Sequence, residues 1–290
     1  MKKIRVFFYI LWLELKRIVF KTKYFAEIDI TDNCNLRCKH CYHFNGKEIF
    51  IKDDLPLDVW EKRFNNLYAS GIRFVLLVGG EPALRKDILQ LADKTFPFIY
   101  LITNGTIFIP KEFNHILFVS IDGNLLTNDL IRGKGVFAKV TNNYSNDKRV
   151  IINITVTNEN YNELEDVVLL AKKSNFLGVV CNIYTPKIGE QSGLFITDEK
   201  RKLIINELNR VKSLYPDNFL LTRSMIKWYE FPDHKDNCYW GDEVFHFDVL
   251  WKPRRCFSNV DCTYCGCFAG SFQNSAEVFK NLKEIEKFII

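Results

Sequence analysis

Three cysteines lie within eight positions near the beginning of the chain. They occupy the stretch ITDNCNLRCKHCYHF (residues 30–44), which contains Cys34, Cys38 and Cys41 together with His40 and His43. A thiol is a weak hydrogen-bonding group that oxidises readily, so such a dense group of thiols usually binds a metal or forms disulfides. Three thiolates with one imidazole are a common zinc ligand set, whereas three thiolates alone can hold a cubane iron-sulfur cluster whose fourth iron has no protein ligand.

A second group of cysteines lies near the carboxyl end and comprises Cys238, Cys256, Cys262, Cys265 and Cys267. Nine cysteines are too few for a disulfide scaffold in a chain of 290 residues, and their grouping predicts metal-ligand sets in a reducing compartment. Five thiols suffice for one four-cysteine iron-sulfur cluster and not for two, and a structural zinc site with four thiolates is the alternative. Cys181 stands apart within an apolar stretch and is predicted to be a buried core thiol.

The composition excludes several classes of protein. A hydrophobic content of 47% is ample for a core, so we predict neither a disordered nor a fibrous chain. The net charge of +5 is spread over a surface of mixed sign, with no long basic run beyond the first residues. We therefore predict no nucleic-acid partner.

The elements that must position the cysteines alternate between short strands and helices. Six stretches rich in β-branched and aromatic residues are the predicted strands, at residues 24–30, 73–79, 98–103, 116–122, 150–157 and 179–185. Several are nearly continuous apolar runs, as in parallel strands that helices cover. The predicted helices occupy residues 55–71, 87–95, 161–175, 198–216 and 275–288. This order indicates α/β architecture.

We predict three segments along the chain. The alternation of strands and helices stops near residue 190, and beyond residue 216 the sequence becomes aromatic, cysteine-bearing and irregular. The predicted segments are an N-terminal helix at residues 1–23, the α/β domain at 24–216 and a small cysteine-rich domain at 217–290.

The first cysteine group follows the first predicted strand directly, and functional groups of such folds lie in loops after the carboxyl ends of the strands. Here the sequence resembles the radical S-adenosylmethionine superfamily, whose signature is matched as Cys34-NLR-Cys38-KH-Cys41. Further family motifs follow at later strand ends, namely GGEP (79–82), TNG (103–105), SIDG (120–123) and the segment 129–137 with Arg132. The resemblance covers roughly residues 24–190.

The resemblance implies a partial (β/α)6 barrel of parallel strands, a [4Fe-4S] cluster held by the three loop cysteines, and S-adenosylmethionine as cofactor. In the family, GGEP binds the methionyl amino group, and in the branch with auxiliary clusters an arginine at the position of Arg132 contacts the cofactor. The residues assigned to the cofactor site are His40, Tyr42, Gly79, Gly80, Glu81, Pro82, Asn104, Ser120, Asp122, Arg132, Asn153, Thr155 and Tyr184.

The carboxyl-terminal cysteines resemble the auxiliary-cluster (SPASM or twitch-like) domain of one branch of this superfamily. Twelve residues separate Cys238 from Trp251 and four separate Trp251 from Cys256, as in the branch, but tryptophan replaces its glycine. We expect a half-length domain with one [4Fe-4S] cluster, held by Cys238, Cys256 and two of Cys262, Cys265 and Cys267.

The resemblance also implies the chemistry. An external flavodoxin or ferredoxin reduces the first cluster, S-adenosylmethionine is cleaved, and a 5'-deoxyadenosyl radical abstracts hydrogen from a substrate carbon under anaerobic conditions. The enzyme would be an oxidoreductase or a transferase. We expect a lipid or other hydrophobic substrate at the membrane surface. Two alternatives stay open: a maturase of a ribosomally made peptide or protein side chain, and a non-catalytic iron-sulfur electron-transfer protein.

The expected membrane location rests on the first residues, which predict a basic amphipathic helix over residues 3–21. One face carries Ile4, Phe8, Leu11, Leu15 and Ile18 or Val19, and the opposite face carries Glu14, Arg17 and Lys21. The apolar run 6–13 falls well short of the ~20 residues that a bilayer span needs. The apolar stripe either packs over the barrel or contacts anionic head groups. We favour the second interpretation and expect a cytoplasmic protein, peripheral at the inner face of the membrane.

Overall fold

The computed structural model describes residues 2–46, 51, 53–190, 192–231, 233–236, 238–256 and 260–273. Its strands form one sheet, with the order β6-β5-β4-β3-β2-β1-β7-β8. They are β1 (Phe25–Asp29), β2 (Phe74–Val78), β3 (Phe98–Thr103), β4 (Ile116–Ser120), β5 (Val150–Val156), β6 (Gly178–Ile183), β7 (Phe245–Phe247) and β8 (Pro253–Arg254).

The first six strands lie in chain order, and each pair of neighbours is parallel. Parallel neighbours need a crossover connection, and helices supply it between every pair of consecutive strands from β1 to β6 except β3 and β4. The sheet begins at β6 and ends at β8, so it stays open in the described part of the chain. The predicted α/β class and partial barrel are confirmed, and all six predicted strands are present.

The described helices are α1 (Lys2–Phe20), α2 (Tyr42–Gly46), α3 (Leu57–Ala69), α4 (Lys86–Thr95), α5 (Leu125–Arg132), α6 (Val136–Tyr144), α7 (Leu164–Lys173), α8 (Asp198–Leu214), α9 (Arg223–Trp228) and α10 (Tyr239–Glu243). Helices α3, α4, α7 and α8 correspond to predicted helices. The predicted helix at 275–288 lies outside the described residues. The sequence did not predict α5 and α6, which follow β4.

The main core lies between the sheet and its helices. Side chains alternate along a strand, so Ala26 and Ile28 of β1 point away from the interior of the barrel and toward the helices. They belong to the same buried core cluster as Trp60 and Phe64 of α3. Cys181 of β6 is fully buried in this cluster, as predicted for a core thiol. The other side chains of the strands face the interior of the partial barrel.

The C-terminal segment reaches both ends of the six-stranded parallel set. On one side β7 pairs in parallel with β1, and β8 pairs antiparallel with β7. On the other side the Ile183 N–H of β6 donates to Gly266 O at 2.8 Å. A Cβ at Gly266 would lie 1.8 Å from Ile183 O, so only glycine permits this approach. Residues of the predicted cysteine-rich domain (217–290) therefore extend the sheet of the predicted α/β domain (24–216).

Trp251 has a φ of 66°, in the left-handed region that favours glycine. It belongs to the loop between β7 and β8, where its N–H donates to Asp248 O at 2.8 Å. The indole stacks on Phe247 with the ring centroids 4.5 Å apart, and the Arg63 guanidinium lies 4.9 Å from its centroid. The tryptophan thus keeps a backbone conformation typical of glycine, and its ring packing offsets the strain.

Helix α1 packs across the amino ends of β1 to β3. Its residue Leu13 forms a buried cluster with Tyr24 and Phe74, and Tyr9 and Ile10 pack against that cluster. The buried polar residues of this inner face are Glu14 and Arg17, whereas the predicted apolar stripe is exposed at Phe8, Leu15, Ile18 and Val19. The helix is therefore present as predicted and packs over the barrel, through Tyr9, Ile10 and Leu13 rather than through the exposed residues of the predicted stripe. None of the described helices is long and apolar enough to cross a bilayer.

Candidate active site

A cavity of about 350 Å³ lies inside the partial barrel. Toward the carboxyl ends of the strands its wall is polar and includes Ser120, Asn153, Thr155 and Asn182. Toward the amino ends the wall is aromatic and includes Phe25, Phe74, Tyr100 and Phe118. The polar half is the half in which folds of this kind place their chemistry.

The cysteine loop borders this polar half, since Cys34, Cys38 and Cys41 all line the cavity. The loop follows β1 and is held at both ends. At its start, the Thr31 hydroxyl donates to Asp54 Oδ1 at 2.6 Å. Near its end, the Lys39 N–H donates to Ile131 O of α5 at 3.0 Å. These contacts fix the three sulfurs against the ends of the strands.

N–H groups surround two of the sulfurs. The Leu36 N–H and Asn104 Nδ2 donate to Cys34 Sγ at 3.4 and 3.7 Å, and Arg132 Nη1 donates to Cys38 Sγ at 3.9 Å. Burial raises the pKa of the Cys34 thiol, and it raises the pKa of the Cys38 thiol to about 11. Ionisation at neutral pH therefore requires further positive charge beside the sulfurs, which bound metal ions supply.

The glycines of the GGEP motif lie where β2 approaches the cysteine loop. Gly79 has a φ of 129°, and a Cβ at this residue would lie 2.3 Å from Thr31 O. A Cβ at Gly80 would lie 2.3 Å from Asn33 O. The Gly80 N–H donates to Thr31 O at 2.8 Å, and the Glu81 N–H donates to Asn33 O at 2.8 Å. The two glycines thus let the end of β2 pair with the start of the loop.

The Glu81 carboxylate joins the ends of β2 and β3. Its Oε1 accepts the Ala83 N–H at 2.9 Å and the Thr103 hydroxyl at 2.7 Å, and its Oε2 accepts the Asn104 N–H at 2.7 Å. Burial raises the pKa of Glu81. Glu81 and Pro82 lie behind the cavity wall, whereas Gly79, Gly80 and Asn104 line it.

Asp122 is fully buried and connects three elements. Its Oδ2 lies 2.6 Å from His40 Nε2 and 2.6 Å from Arg132 Nε, and its Oδ1 accepts the Thr155 N–H at 2.9 Å. Burial raises the pKa of Asp122, but Arg132 and His40 outweigh burial and hold this pKa well below its usual range. Arg132 and Asp122 thus form a buried ion pair. Arg132 and His40 line the cavity, and Asp122 lies behind them.

The remaining predicted cofactor residues also line the cavity, namely Tyr42, Ser120, Asn153, Thr155 and Tyr184. Asn153 Oδ1 accepts the side-chain N–H of Asn182 at 2.9 Å, and the Tyr184 hydroxyl donates to Glu190 Oε1 at 2.8 Å. The structure therefore brings residues from several strand ends to one cavity. The assignment of each residue to a part of the cofactor stays a prediction.

The second cysteine group lies beside α10 and against the end of β6. Cys238, Cys256 and Cys267 border one apolar cluster that contains Tyr239 and Trp240. The Cys265 N–H donates to Cys262 O at 3.3 Å, and the Cys267 N–H donates to Cys265 Sγ at 3.5 Å. Burial, together with the nearby thiols of Cys238 and Cys262, raises the pKa of the Cys265 thiol to about 11. Cys267 also lines the cavity of the first group.

Among the described residues, no three His, Cys, Asp or Glu side chains are arranged to hold a single metal ion. A cubane cluster takes each thiolate on a different iron, so its ligands need not converge on one point. All nine cysteines are free of disulfides. Free thiols that line a cavity, with N–H donors on their sulfurs and a glycine-lined wall beside them, fit a cluster and a cofactor with polar groups.

Sequence reasoning missed Glu27, which lies in the middle of β1 and lines the cavity. Its carboxylate accepts hydrogen bonds from Trp240 Nε1 at 2.9 Å and Arg254 Nη2 at 3.1 Å. Burial raises the pKa of Glu27, but His246 and Arg254 outweigh burial and lower this pKa to about 2. Arg254 also donates to Asp29 at 2.8 and 2.9 Å. The sequence feature that could have indicated Glu27 is a pair of acids, Glu27 and Asp29, at alternate positions of an apolar strand. Side chains at alternate positions of a strand lie on the same face.

Comparisons with known proteins show which sequences and structures this chain is similar to. A sequence profile of the radical SAM superfamily matches residues 28–186, which is more than half of the chain. Fe-coproporphyrin III synthase of Methanosarcina barkeri is 26% identical over 211 residues, covering 66% of this chain and 52% of the relative. The sporulation killing factor maturation protein SkfB of Bacillus subtilis is 30% identical over 156 residues, covering 49% of this chain and 38% of the relative. The chain thus spans about half, or less, of the length of these relatives.

Among solved structures, the chain is similar to SuiB of Streptococcus suis. The TM-score is 0.65 at 13% identity for SuiB bound to S-adenosylmethionine, covering 89% of this chain and 65% of SuiB. It is 0.63 at 15% identity for SuiB bound to the precursor peptide SuiA, covering 81% and 60%. This likeness concerns the fold. With the cysteine loop, the motifs at the strand ends and the match over residues 28–186, the chain belongs to the radical S-adenosylmethionine superfamily, a family of enzymes that bind a [4Fe-4S] cluster and S-adenosylmethionine.

Proposed function

We propose that the protein is a radical S-adenosylmethionine enzyme that modifies a ribosomally made peptide or a protein side chain. The observation that carries this proposal is the meeting of both cysteine groups at one cavity, which Cys34, Cys38, Cys41 and Cys267 line together. The first three would hold the [4Fe-4S] cluster. Cys238, Cys256 and two of Cys262, Cys265 and Cys267 would hold the auxiliary cluster.

When bound, the reduced cluster and S-adenosylmethionine supply a 5'-deoxyadenosyl radical that abstracts hydrogen from a substrate carbon. The residues of this chain bind and orient the reactants. Arg132 places guanidinium donors at the cavity, in the fork geometry that suits a carboxylate. Gly79 and Gly80 keep side chains away from that wall, so backbone groups are accessible there. The aromatic half of the cavity shields its contents from water.

The choice of a peptide substrate rests on the relatives. SkfB is named as a maturation protein, and it is 30% identical to this chain over 156 residues. The expected lipid or other hydrophobic substrate finds no support among these relatives, so the alternative of peptide maturation is better supported. A non-catalytic electron carrier would need no cofactor site, and the residues around Arg132 argue against that alternative.

Two further parts of the proposal concern the surroundings of the enzyme. We propose that flavodoxin or ferredoxin is the reductant. The two predicted clusters account for both cysteine groups of the chain, so no third group is left to hold a cluster that could supply electrons. We also propose a cytoplasmic location, peripheral at the inner face of the membrane, because α1 exposes its apolar stripe.

The test of the chemistry is anaerobic incubation of the reconstituted, dithionite-reduced protein with S-adenosylmethionine. We expect 5'-deoxyadenosine in the native protein and none in a Cys38→Ala variant. Absence of 5'-deoxyadenosine from native protein with an intact cluster would count against the enzyme.

The test of the substrate is co-expression with short reading frames encoded beside this gene. We expect a mass change in one of the encoded peptides, detected by mass spectrometry, that is missing when the Cys38→Ala variant is co-expressed instead. Unchanged peptides, together with 5'-deoxyadenosine formation, would leave the radical chemistry in place and refute the peptide substrate.

A further inference from the structure

The inner face of α1, which packs on the barrel, holds two charged side chains of the helix as well as apolar ones. On the inner face, Arg17 Nε donates to Glu14 Oε2 at 2.9 Å, and the Tyr24 hydroxyl donates to Glu14 Oε1. The Arg17 guanidinium also lies 3.6 Å from the Glu243 carboxylate and 5.1 Å from the ring centroid of Tyr239. The charges of Glu14 and Arg17 are therefore turned inward and paired.

The outer face of α1 is apolar and exposed. We define it by Phe8, Trp12, Leu15 and Val19, which follow one another at helical spacing and are 61%, 49%, 56% and 59% exposed. Ile18 and Phe20 beside it are 42% and 70% exposed. Contiguous exposed apolar residues of this extent mark an interaction surface. None of the four defining residues lines the cavity, so this surface is separate from the candidate active site.

The charges around the outer face select the kind of partner. Residues 1–23 contain seven basic side chains and one acidic side chain, Glu14, which is buried and paired. Lys16 Nζ lies 3.8 Å from the ring centroid of Trp12, and Lys21 is exposed directly after the helix. Aromatic and aliphatic side chains flanked by lysines are the composition of helices that lie in the head-group region of anionic bilayers.

We propose that the outer face of α1 binds the surface of an anionic lipid bilayer and thereby orients the enzyme. The inference rests on the peripheral location proposed above and is independent of the radical chemistry. Because α1 lies across the amino ends of β1 to β3, those ends face the bilayer. The cysteine loop follows the opposite end of β1, so it faces the aqueous side, where a reductant and a peptide can approach.

The test is flotation of the full reconstituted chain, under anaerobic conditions, with vesicles of phosphatidylglycerol and phosphatidylcholine. We expect binding to mixed vesicles at low salt, and about thirty-fold weaker binding for the double variant Lys16→Gln, Lys21→Gln. The triple variant Phe8→Ser, Trp12→Ser, Leu15→Ser should bind about a hundred-fold more weakly, because it removes three inserted side chains. The matched control is Leu125→Ser, Leu126→Ser, Leu130→Ser, which alters three exposed leucines of α5 and should bind as the native chain does.

Three outcomes would overturn the inference: no flotation of the native chain, equal flotation of the outer-face variant, or equal loss in the α5 control. Light scattering in solution tests the alternative that a second copy of this chain covers the outer face. If the native chain is a dimer that does not bind vesicles, and the outer-face variant is a monomer, the outer face is a dimer interface and not a membrane-binding surface. Formation of 5'-deoxyadenosine by the outer-face variant shows that the fold is intact, and its failure in the native chain would concern the proposed chemistry alone.

Discussion

His40 Nε2 lies 2.6 Å from Asp122 Oδ2, so an imidazole of the cysteine loop is bound to the carboxylate that follows β4. The same oxygen faces the buried Arg132 guanidinium. Asp122→Asn should therefore leave Arg132 buried without its counter-charge and lower the free energy of unfolding by about 3 to 5 kcal/mol. Anaerobic urea unfolding measures the loss. Glu159→Gln, which removes only the exposed partner of Lys39, should cost less than about 1 kcal/mol. A similar cost in both variants would contradict the role of Asp122.

Cys38→Ala should remove the first cluster, because two thiolates cannot hold a cubane that already lacks a fourth protein ligand. Iron should fall from roughly eight to roughly four atoms per chain if the second group also holds a cluster. Iron and sulfide analysis of anaerobic protein measures this. Cys181→Ala is the control, since this core thiol lies outside both groups and should leave iron unchanged. Zinc in place of the residual iron would assign the second group to a zinc site.

Gly80→Ala should be poorly tolerated. Its Cβ would meet backbone atoms of the cysteine loop, the nearest being Asn33 O at 2.3 Å, so β2 and the loop must move apart. We expect a loss of about 3 kcal/mol in unfolding free energy and a lower yield of reconstituted cluster. Gly193→Ala is the matched control, because its Cβ would meet no atom within 4 Å. It should be neutral, or stabilising by about 0.5 kcal/mol. Equal unfolding free energies and equal cluster yields in the two variants would show that the cysteine loop can move away from β2 without cost.

Arg254→Gln should reverse the pH dependence contributed by Glu27 of β1. In the native protein the pKa of Glu27 is lowered from 4.5 to about 2, so its stabilisation is present above pH 4.5 and is lost as pH falls toward 2. Burial already raises the pKa of Asp29 in the native protein, and loss of Arg254 should raise it further and raise the pKa of Glu27 as well, so stability should then increase more strongly as pH falls from 8 to 5.5. At pH 7.5 the variant should lose about 3 to 5 kcal/mol.

Urea unfolding between pH 8 and 5.5 checks the prediction for Arg254. Arg255→Gln is the control, since its partner Asp242 is exposed, and should change the free energy of unfolding by less than about 1 kcal/mol. A parallel pH dependence in native protein and in the Arg254 variant would refute the assigned pairing.

Two substitutions of Trp251 distinguish the cost of its backbone strain from the stabilisation by its ring packing. Trp251→Ala loses the contacts with Phe247 and Arg63 but keeps the left-handed φ, so it should cost about 3 kcal/mol. Trp251→Gly loses the same contacts and relieves the strain, and should be about 1 kcal/mol more stable than the alanine variant. Thermal unfolding of both variants decides this. If alanine were the more stable, the positive φ would carry no cost.

The fold was largely predictable because its strands are short apolar runs separated by helices, and such a pattern has few other solutions. The cysteines and the motifs at the strand ends were predictable for the same reason, since the ends of parallel strands meet. Glu27 and Asn182 were missed because a strand's inward face is not known until the sheet is curved. For α1, the inward position of Glu14 and Arg17 depends on Tyr24, Tyr239 and Glu243, whose proximity to the helix is a tertiary property.

The C-terminal segment also protects the sheet from other molecules. The outer strands β1 and β6 would each present unpaired backbone groups, which are templates for pairing with strands of other chains. Here β7 covers the edge of β1, and Gly266, between two cysteines of the second group, caps the end of β6. Metal binding by that group would therefore help to hold this edge cover in place. We expect chains made in a cell short of iron or sulfide to be less soluble as well as inactive.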